Sequence, residues 1–506
     1  MSGKSLMHGG EESYCGIVPA KQPNKSGRPP AEVAEERPQT EENTQEPNPC
    51  RTPSRESGPS GLARVREAAK KDSKQKFTAL LHHVSIDLLR DSYQSLKKEA
   101  APGVDGMTWE EYGQDLEARL ADLHGQIHRG AYRARPSRRV WIPKADGRQR
   151  PLGVAALEDK IVQHAIGTVL NQIWEEDFLG FSYGFRPGRS QHDALDALWV
   201  GIMRKKVNWI VDLDIRSFFD RLQHDWLVKF AEHRIGDKRV VRLIQKWLKA
   251  GVMEQDQWTE TKEGSPQGAV ISPILANLYL HYVLDVWVEA WRRKQAQGDV
   301  IVVRYADDAV LGFEHRQEAD RFLEQVQKRL LRFGLELHPD KTRLIEFGRF
   351  AAERRKKRGE GKPETFNFLG FTHICGTNHQ TGNFAVHRKT IGKRMAAKLK
   401  DIKAKLRTRM HRRVSGTVQW LQQVVRGYFN YHAVPGNLPR MEAFRQEVLR
   451  IWYRALRRRS QRSRLNWERF CERLAVLLPP VRVLHPYPDV RFDAKYPNIR
   501  GRNRVR

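Results

Sequence analysis

Between Ile301 and Phe313 two short apolar runs flank a polar core of four residues. Each run is strand length and rich in β-branched or aromatic residues. The pattern predicts a β-hairpin with Asp307 and Asp308 side by side at its turn. Upstream, the run from Trp209 to Asp214 predicts a strand that ends on an acid. From Arg138 to Val154 apolar and polar positions alternate around Asp146-Gly147, a second hairpin signal. The period becomes helical between Asp159 and Phe178, where Ile161, Ala165, Val169 and Ile173 recur beside Val162, Ile166, Leu170 and Trp174. So wide an apolar stripe predicts a core helix rather than a site. Helices are also predicted over 78–100, from Pro273 through Tyr282 and Trp287, over 317–333, and from Arg388 onward. Ser272-Pro273 supplies the N-cap and first position of the second of these. A strand is predicted after Thr342, and residues 101–108 and 350–364 read as loops.

Residues 1–75 carry none of these periods. Eight prolines fall between Lys21 and Ser60, and no Phe, Trp or Tyr occurs between Tyr14 and Phe77. Such a segment cannot bury enough surface to offset its ordering entropy, so a disordered tail is predicted.

Charge narrows the choice of partner. The chain has 90 Lys and Arg against 60 Asp and Glu, a net +30, which implies a polyanion, nucleic acid first. Residues 388–506 hold 31 of the basic and 7 of the acidic side chains, and so +24 of the total. The four cysteines form no Cys-x-x-Cys pair, which supports neither a zinc site nor a disulfide framework. No apolar run reaches the roughly 18 residues of a membrane span. The N-terminus shows no secretory apolar segment. The expectation is a soluble, cytoplasmic protein without a membrane partner.

Adjacent carboxylates repel each other, so Asp307 and Asp308 ask for a cation if they are enclosed. Oxygen ligands of this kind suit Mg²⁺. Alone, the pair reads more readily as a solvated turn. The wider chain changes that. Asp214 and Phe218-Phe219 close the upstream strand, Gly264-Ser265-Pro266-Gln267-Gly268 follows, and Tyr305-Ala306-Asp307-Asp308 comes third. In this order and spacing the motifs resemble those of the group II intron family of reverse transcriptase/maturases. The resemblance runs from about residue 101 to 432 and more loosely beyond.

That resemblance implies an α/β right-hand polymerase of fingers, palm and thumb, with a helical, basic maturase and C-terminal extension. The expected divisions are a tail over 1–75, N-terminal extension and fingers over 76–205, and palm over 206–375. Thumb and maturase domain follow over 376–445, then a basic DNA- and RNA-binding extension over 446–506. By the same resemblance Asp214, Asp307 and Asp308, with the Ile215 carbonyl, would hold two Mg²⁺ ions. Lys144 and Arg150 match a basic pair that touches the incoming triphosphate. Phe219 matches a gate against the ribose 2′-OH, the alternative being that Phe218 and Phe219 are both core. Gln267 would contact nucleotide or primer–template. Lys341 matches a palm lysine, or is a plain surface lysine. Arg186 lies in an aromatic and glycine-rich segment matched to the templating region. Arg426 and Tyr428 lie in a stretch, 420–432, that looks like the maturase signature. Asp212 and Asp220 read as solvated or structural.

The function so implied is an RNA-directed DNA polymerase that also binds its group II intron RNA for splicing and copies it during retrohoming. Its partners would be that RNA, an RNA template/DNA primer duplex, target DNA and deoxynucleoside triphosphates. Two other readings stay open. One is a stand-alone enzyme of the same type in host defence or repair; the other is a splicing cofactor without polymerase activity. Many relatives add a zinc-containing HNH endonuclease. The Cys pairs and His cluster it needs are not found in this sequence, and no nuclease is assigned.

Overall fold

The computed structural model describes residues 61–143, 149–254, 257–261, 263–264, 268–378, 380–459 and 465–497. It opens with α1 (Gly61–Lys71), α2 (Ile86–Ser95), α3 (Trp109–Gly113) and α4 (Leu116–Arg129). Helix α1 corrects the expected tail, which was drawn to residue 75. Leu62, Val65 and Ala69 fall on one helical face, Val65 and Ala69 are buried, and Arg66 pairs with Glu176 at 2.9 Å. A stripe this short and poor in aromatics is easily hidden in a polar composition.

The alternating segment folds as β1 (Ser137–Pro143) and β2 (Gln149–Val154), paired antiparallel from Arg138–Val154 to Pro143–Gln149. Its expected turn at Asp146-Gly147 lies outside the described residues. The apolar stripe becomes α5 (Leu157–Asp177), followed by α6 (Gln191–Arg204). Then come β3 (Trp209–Leu213), α7 (His224–Arg234), α8 (Lys238–Lys249), β4 (Val252–Glu254) and β5 (Gln257–Thr259). Strands β2-β1-β4-β5 make one sheet.

Helices α9 (Ser272–Leu280) and α10 (Val286–Lys294) are joined by one π-helical turn, His281–Asp285. The hairpin forms as β6 (Val300–Tyr305) and β7 (Asp308–Phe313), closed by Ala306-Asp307. After α11 (Arg316–Leu331) comes β8 (Arg343–Glu346), completing a sheet of order β6-β7-β3-β8. Both faces of this sheet are buried, as the period-2 alternation of its strands requires. Val211, Leu213, Ala309 and Leu311 enter a large core with α5, α9 and α11. Ile210, Val303, Val310 and Ile345 enter a second core with α6.

Residues expected as a loop over 350–364 include a helix, α12 (Ala351–Lys357). Strands β9 (Phe366–Phe368), β10 (Phe371–Thr377) and β11 (Phe384–Thr390) form a third sheet. Residues 388–390 thus belong to a strand, and the expected helix begins at α13 (Gly392–Thr408). It is followed by α14 (Val414–His432), α15 (Leu438–Arg457), α16 (Trp467–Arg473) and α17 (Pro488–Lys495). Ile402, Leu421, Val425, Phe444, Trp452 and Phe470 build a third core among α13 to α16.

Two expected divisions are corrected. A boundary at 375/376 would cut β10, and one at 445/446 would cut α15. Nor is the last segment a free extension. Phe492 and Tyr496 are buried in the second core with Ala194 and Leu198 of α6. Asp493 pairs with Arg204 at 2.9 Å and Lys495 with Asp193 at 2.6 Å. Among the described residues no helix is long and apolar enough to cross a membrane.

Candidate active site

Register brings the acids together. Leu213 of β3 pairs with Ala309, and Tyr305 pairs with Asp308, so Asp214 leaves β3 beside Asp308. The stretch 338–342 fixes the backbone of Asp214. His338 N donates to its carbonyl at 2.8 Å, and Thr342 Oγ1 donates to the same oxygen at 3.3 Å. Ile215 is buried and bridges to Leu337. Lys341 Nζ stands 3.1 and 3.3 Å from the Asp214 carboxylate oxygens and is half-exposed.

Electrostatics shows the crowding. Asp308 is exposed overall, yet the protein around its carboxyl removes part of its hydration. That desolvation comes first, and the charges of Asp307, Asp214 and Asp212 add to it, pushing the carboxyl up to about 7. Arg394 of α13 opposes the rise. Burial likewise pushes Asp212 up to about 6, against the pull of Arg343 at 3.5 Å. Asp212 is therefore enclosed beside the site, a part of its negative charge.

The carboxylates on these two adjacent strand ends offer oxygen donors, the chemistry a hard divalent cation takes. Among the described residues no group of three or more His, Cys, Asp or Glu is placed so that it could hold a metal ion. Lys341 supplies the positive charge nearest Asp214.

The flanking elements close around this point. Phe218 is buried, whereas Phe219 is half-buried and meets it edge-on at 5.2 Å. Phe218 is thus core, and Phe219 packs against that core with part of its surface exposed. Gly264, at φ +87°, passes so close that a Cβ would lie 3.0 Å from the Phe219 and Asp220 carbonyl oxygens. Gly268, at φ +109°, would bring a Cβ 2.8 Å from Gly153 O of β2. Gly264 and Gly268 are thus held close to Phe219 and to the β1–β2 hairpin, respectively. Gln267 itself lies outside the described residues, as does Lys144. Arg150 is placed by its backbone, opposite Ile142.

Two expected nucleic-acid contacts are corrected. Arg186 is 3% exposed, and its guanidinium is taken up by Glu175 at 2.9 Å and by the Leu179 and Ser182 carbonyls at 2.7 Å. It shapes the 179–186 loop from inside. Tyr428 is buried and stacks on Phe444 at 3.6 Å between ring centres, so it is core of the helical bundle. Arg426, on the same helix, is exposed.

Sequence reasoning missed the support beneath the turn. Arg304 is 1% exposed. Its Nε and Nη2 fork onto Asp285 at 2.7 and 2.6 Å, and Nη2 also reaches Ser182 Oγ at 2.6 Å. Nη1 donates to Asn277 Oδ1 at 3.1 Å and to the Ala306 carbonyl at 2.8 Å. Gly184 comes up against the turn as well. A Cβ there would lie 2.2 Å from Ala306 N.

Comparison with known proteins agrees with this geometry. Residues 142–373 match the family described as Reverse transcriptase (RNA-dependent DNA polymerase). Protein YkfC of Escherichia coli (strain K12) is 35% identical over 283 residues, 49% of this chain and 74% of YkfC. The group II intron-encoded protein LtrA of Lactococcus lactis subsp. cremoris is 33% identical over 224 residues, 44% of this chain and 37% of LtrA. A 91 kDa protein in the cob intron of Schizosaccharomyces pombe is 42% identical over 154 residues, 30% of this chain and 19% of its own length. With the three acidic positions on adjoining strand ends inside the matched region, the chain belongs to the reverse transcriptases, the RNA-directed DNA polymerases, and within them it is similar to group II intron-encoded proteins.

Proposed function

We propose that this protein extends a DNA primer on an RNA template, and that it binds a group II intron RNA both to assist splicing and to copy it during retrohoming. The observation that carries the polymerase reading is the arrival of Asp214 beside the Asp307-Asp308 turn. In this reading the β6-β7-β3-β8 sheet is the palm, the β1–β2 hairpin with β4 and β5 belongs to the fingers, and α13 to α15 form the thumb. Asp214, Asp307 and Asp308, with the Ile215 carbonyl, would hold Mg²⁺. The bound metal would stabilise charge on the attacking and leaving oxygens of nucleotidyl transfer. Lys341 offsets phosphate charge on the Asp214 side, and Lys144, Arg150 and Gln267 hold the nucleotide. Phe219 walls the cleft where a ribose 2′-OH would come. The RNA partner is supported by the exposed Arg426 and by the +24 carried by residues 388–506. Target DNA meets the same basic surface.

The test is Asp307→Asn. Extension of a DNA primer on an RNA template should fall to background while binding of structured intron RNA stays within about twofold, because the basic surface lies elsewhere. Near-normal extension by this variant overturns the reading.

A further inference from the structure

Ala306 occupies an unusual place. It is a non-glycine residue at φ +56°, and it immediately precedes Asp307. A backbone in this region costs about 1 kcal/mol or more and persists where the surroundings over-determine it. Here they do so from two sides. The Ala306 carbonyl is taken by Arg304, and the amide face is pressed by Gly184, whose own carbonyl accepts from Asn277 Nδ2 at 2.7 Å. Arg304 uses all of its N–H donors at once, on Asp285, Ser182, Asn277 and Ala306.

We propose that Arg304, braced by Asp285, is a positioning residue for the polymerase: it fixes the Ala306 carbonyl and so the directions in which Asp307 and Asp308 leave the turn. The inference rests on the polymerase reading above. Two further observations support it. Asp285 lies at the end of the π-helical turn between α9 and α10, and such turns recur at functional sites. The Arg304–Asp285 pair is also buried on both sides, at 1% side-chain exposure each. A buried ion pair adds little stability compared with apolar residues of like volume. Apolar residues could not hold a carbonyl, however. Nor could lysine reproduce a planar fork shared among four partners.

The experiment uses the full chain and three variants: Arg304→Lys, the double variant Arg304→Met/Asp285→Leu, and Asp307→Asn as the reference for the polymerase reading. Melting temperature, primer–template affinity, steady-state extension and Mn²⁺ binding by electron paramagnetic resonance are measured. At least one Arg304 variant should melt within a few degrees of the wild type and bind primer–template within about twofold. Its kcat should drop by about 10²-fold, the scale of a misplacement near 1 Å. Its KM for the nucleotide should change little, and its Mn²⁺ affinity should weaken. Full kcat in a folded Arg304 variant, with Asp307→Asn inactive, overturns the positioning role and leaves the polymerase reading standing. An active Asp307→Asn removes the polymerase reading itself. If both Arg304 variants unfold, the pair serves folding alone and the proposal fails.

Discussion

Asp308 has a carboxyl pKa near 7 in the folded chain, against about 4 for an ordinary carboxylate. Between those values the native state holds a proton that the unfolded chain has released. The native state's advantage is therefore full below about pH 4 and lost as pH rises through about 7. In EDTA, Asp308→Asn should raise the melting temperature at pH 8 but leave it nearly unchanged at pH 5, and added Mg²⁺ should narrow the gap. Equal shifts at both pH values would contradict the crowding described above. Phe219, proposed as the sugar gate, admits a separate test, since it is half-buried while Phe218 is buried. Phe219→Val should raise the ratio of ribonucleotide to deoxynucleotide incorporation in single-nucleotide extension; an active variant with an unchanged ratio takes the gate away from this position. The acids were legible because apolar strand residues frame them. Arg186 and Arg304 were not, because whether a guanidinium faces nucleic acid or a buried carboxylate depends on Glu175 and Asp285, which only folding brings near.

Strands β3, β6 and β7 could be read almost residue by residue, because each pairs β-branched side chains with a turn signal. Elements that owe their form to a partner were harder to see. Helix α1 presents few apolar residues and is held by α5. Helix α12 is strongly basic and read as loop. The π turn leaves no mark in the apolar period of α9 and α10. Helix α17 lies in the stretch expected as a basic, nucleic-acid-binding extension, yet its Phe492 is 2% exposed within the second core. Phe492→Ala should cost about 3–5 kcal/mol of local stability. The expected result is that α17 leaves α6, and limited proteolysis then cuts within 481–487 well before the rest of the chain. An unchanged cleavage pattern would show that the ion pairs of Asp493 and Lys495 suffice to hold it.

At the scale of the molecule, net charge announced a nucleic-acid partner and its concentration in the last quarter, while saying nothing of how that quarter is attached. The attachment has a consequence in time. Phe492 and Tyr496 share a core with Tyr305 and Ala306, the residues that lead into the Asp307-Asp308 turn. A ribosome makes α6 and the hairpin early and α17 late. Until residue 496 has emerged, the hairpin rests on an unfinished floor. Growth of the chain therefore does not yield a polymerase by degrees. A product that stops short of residue 496 lacks a piece of the packing beneath Asp307 and Asp308.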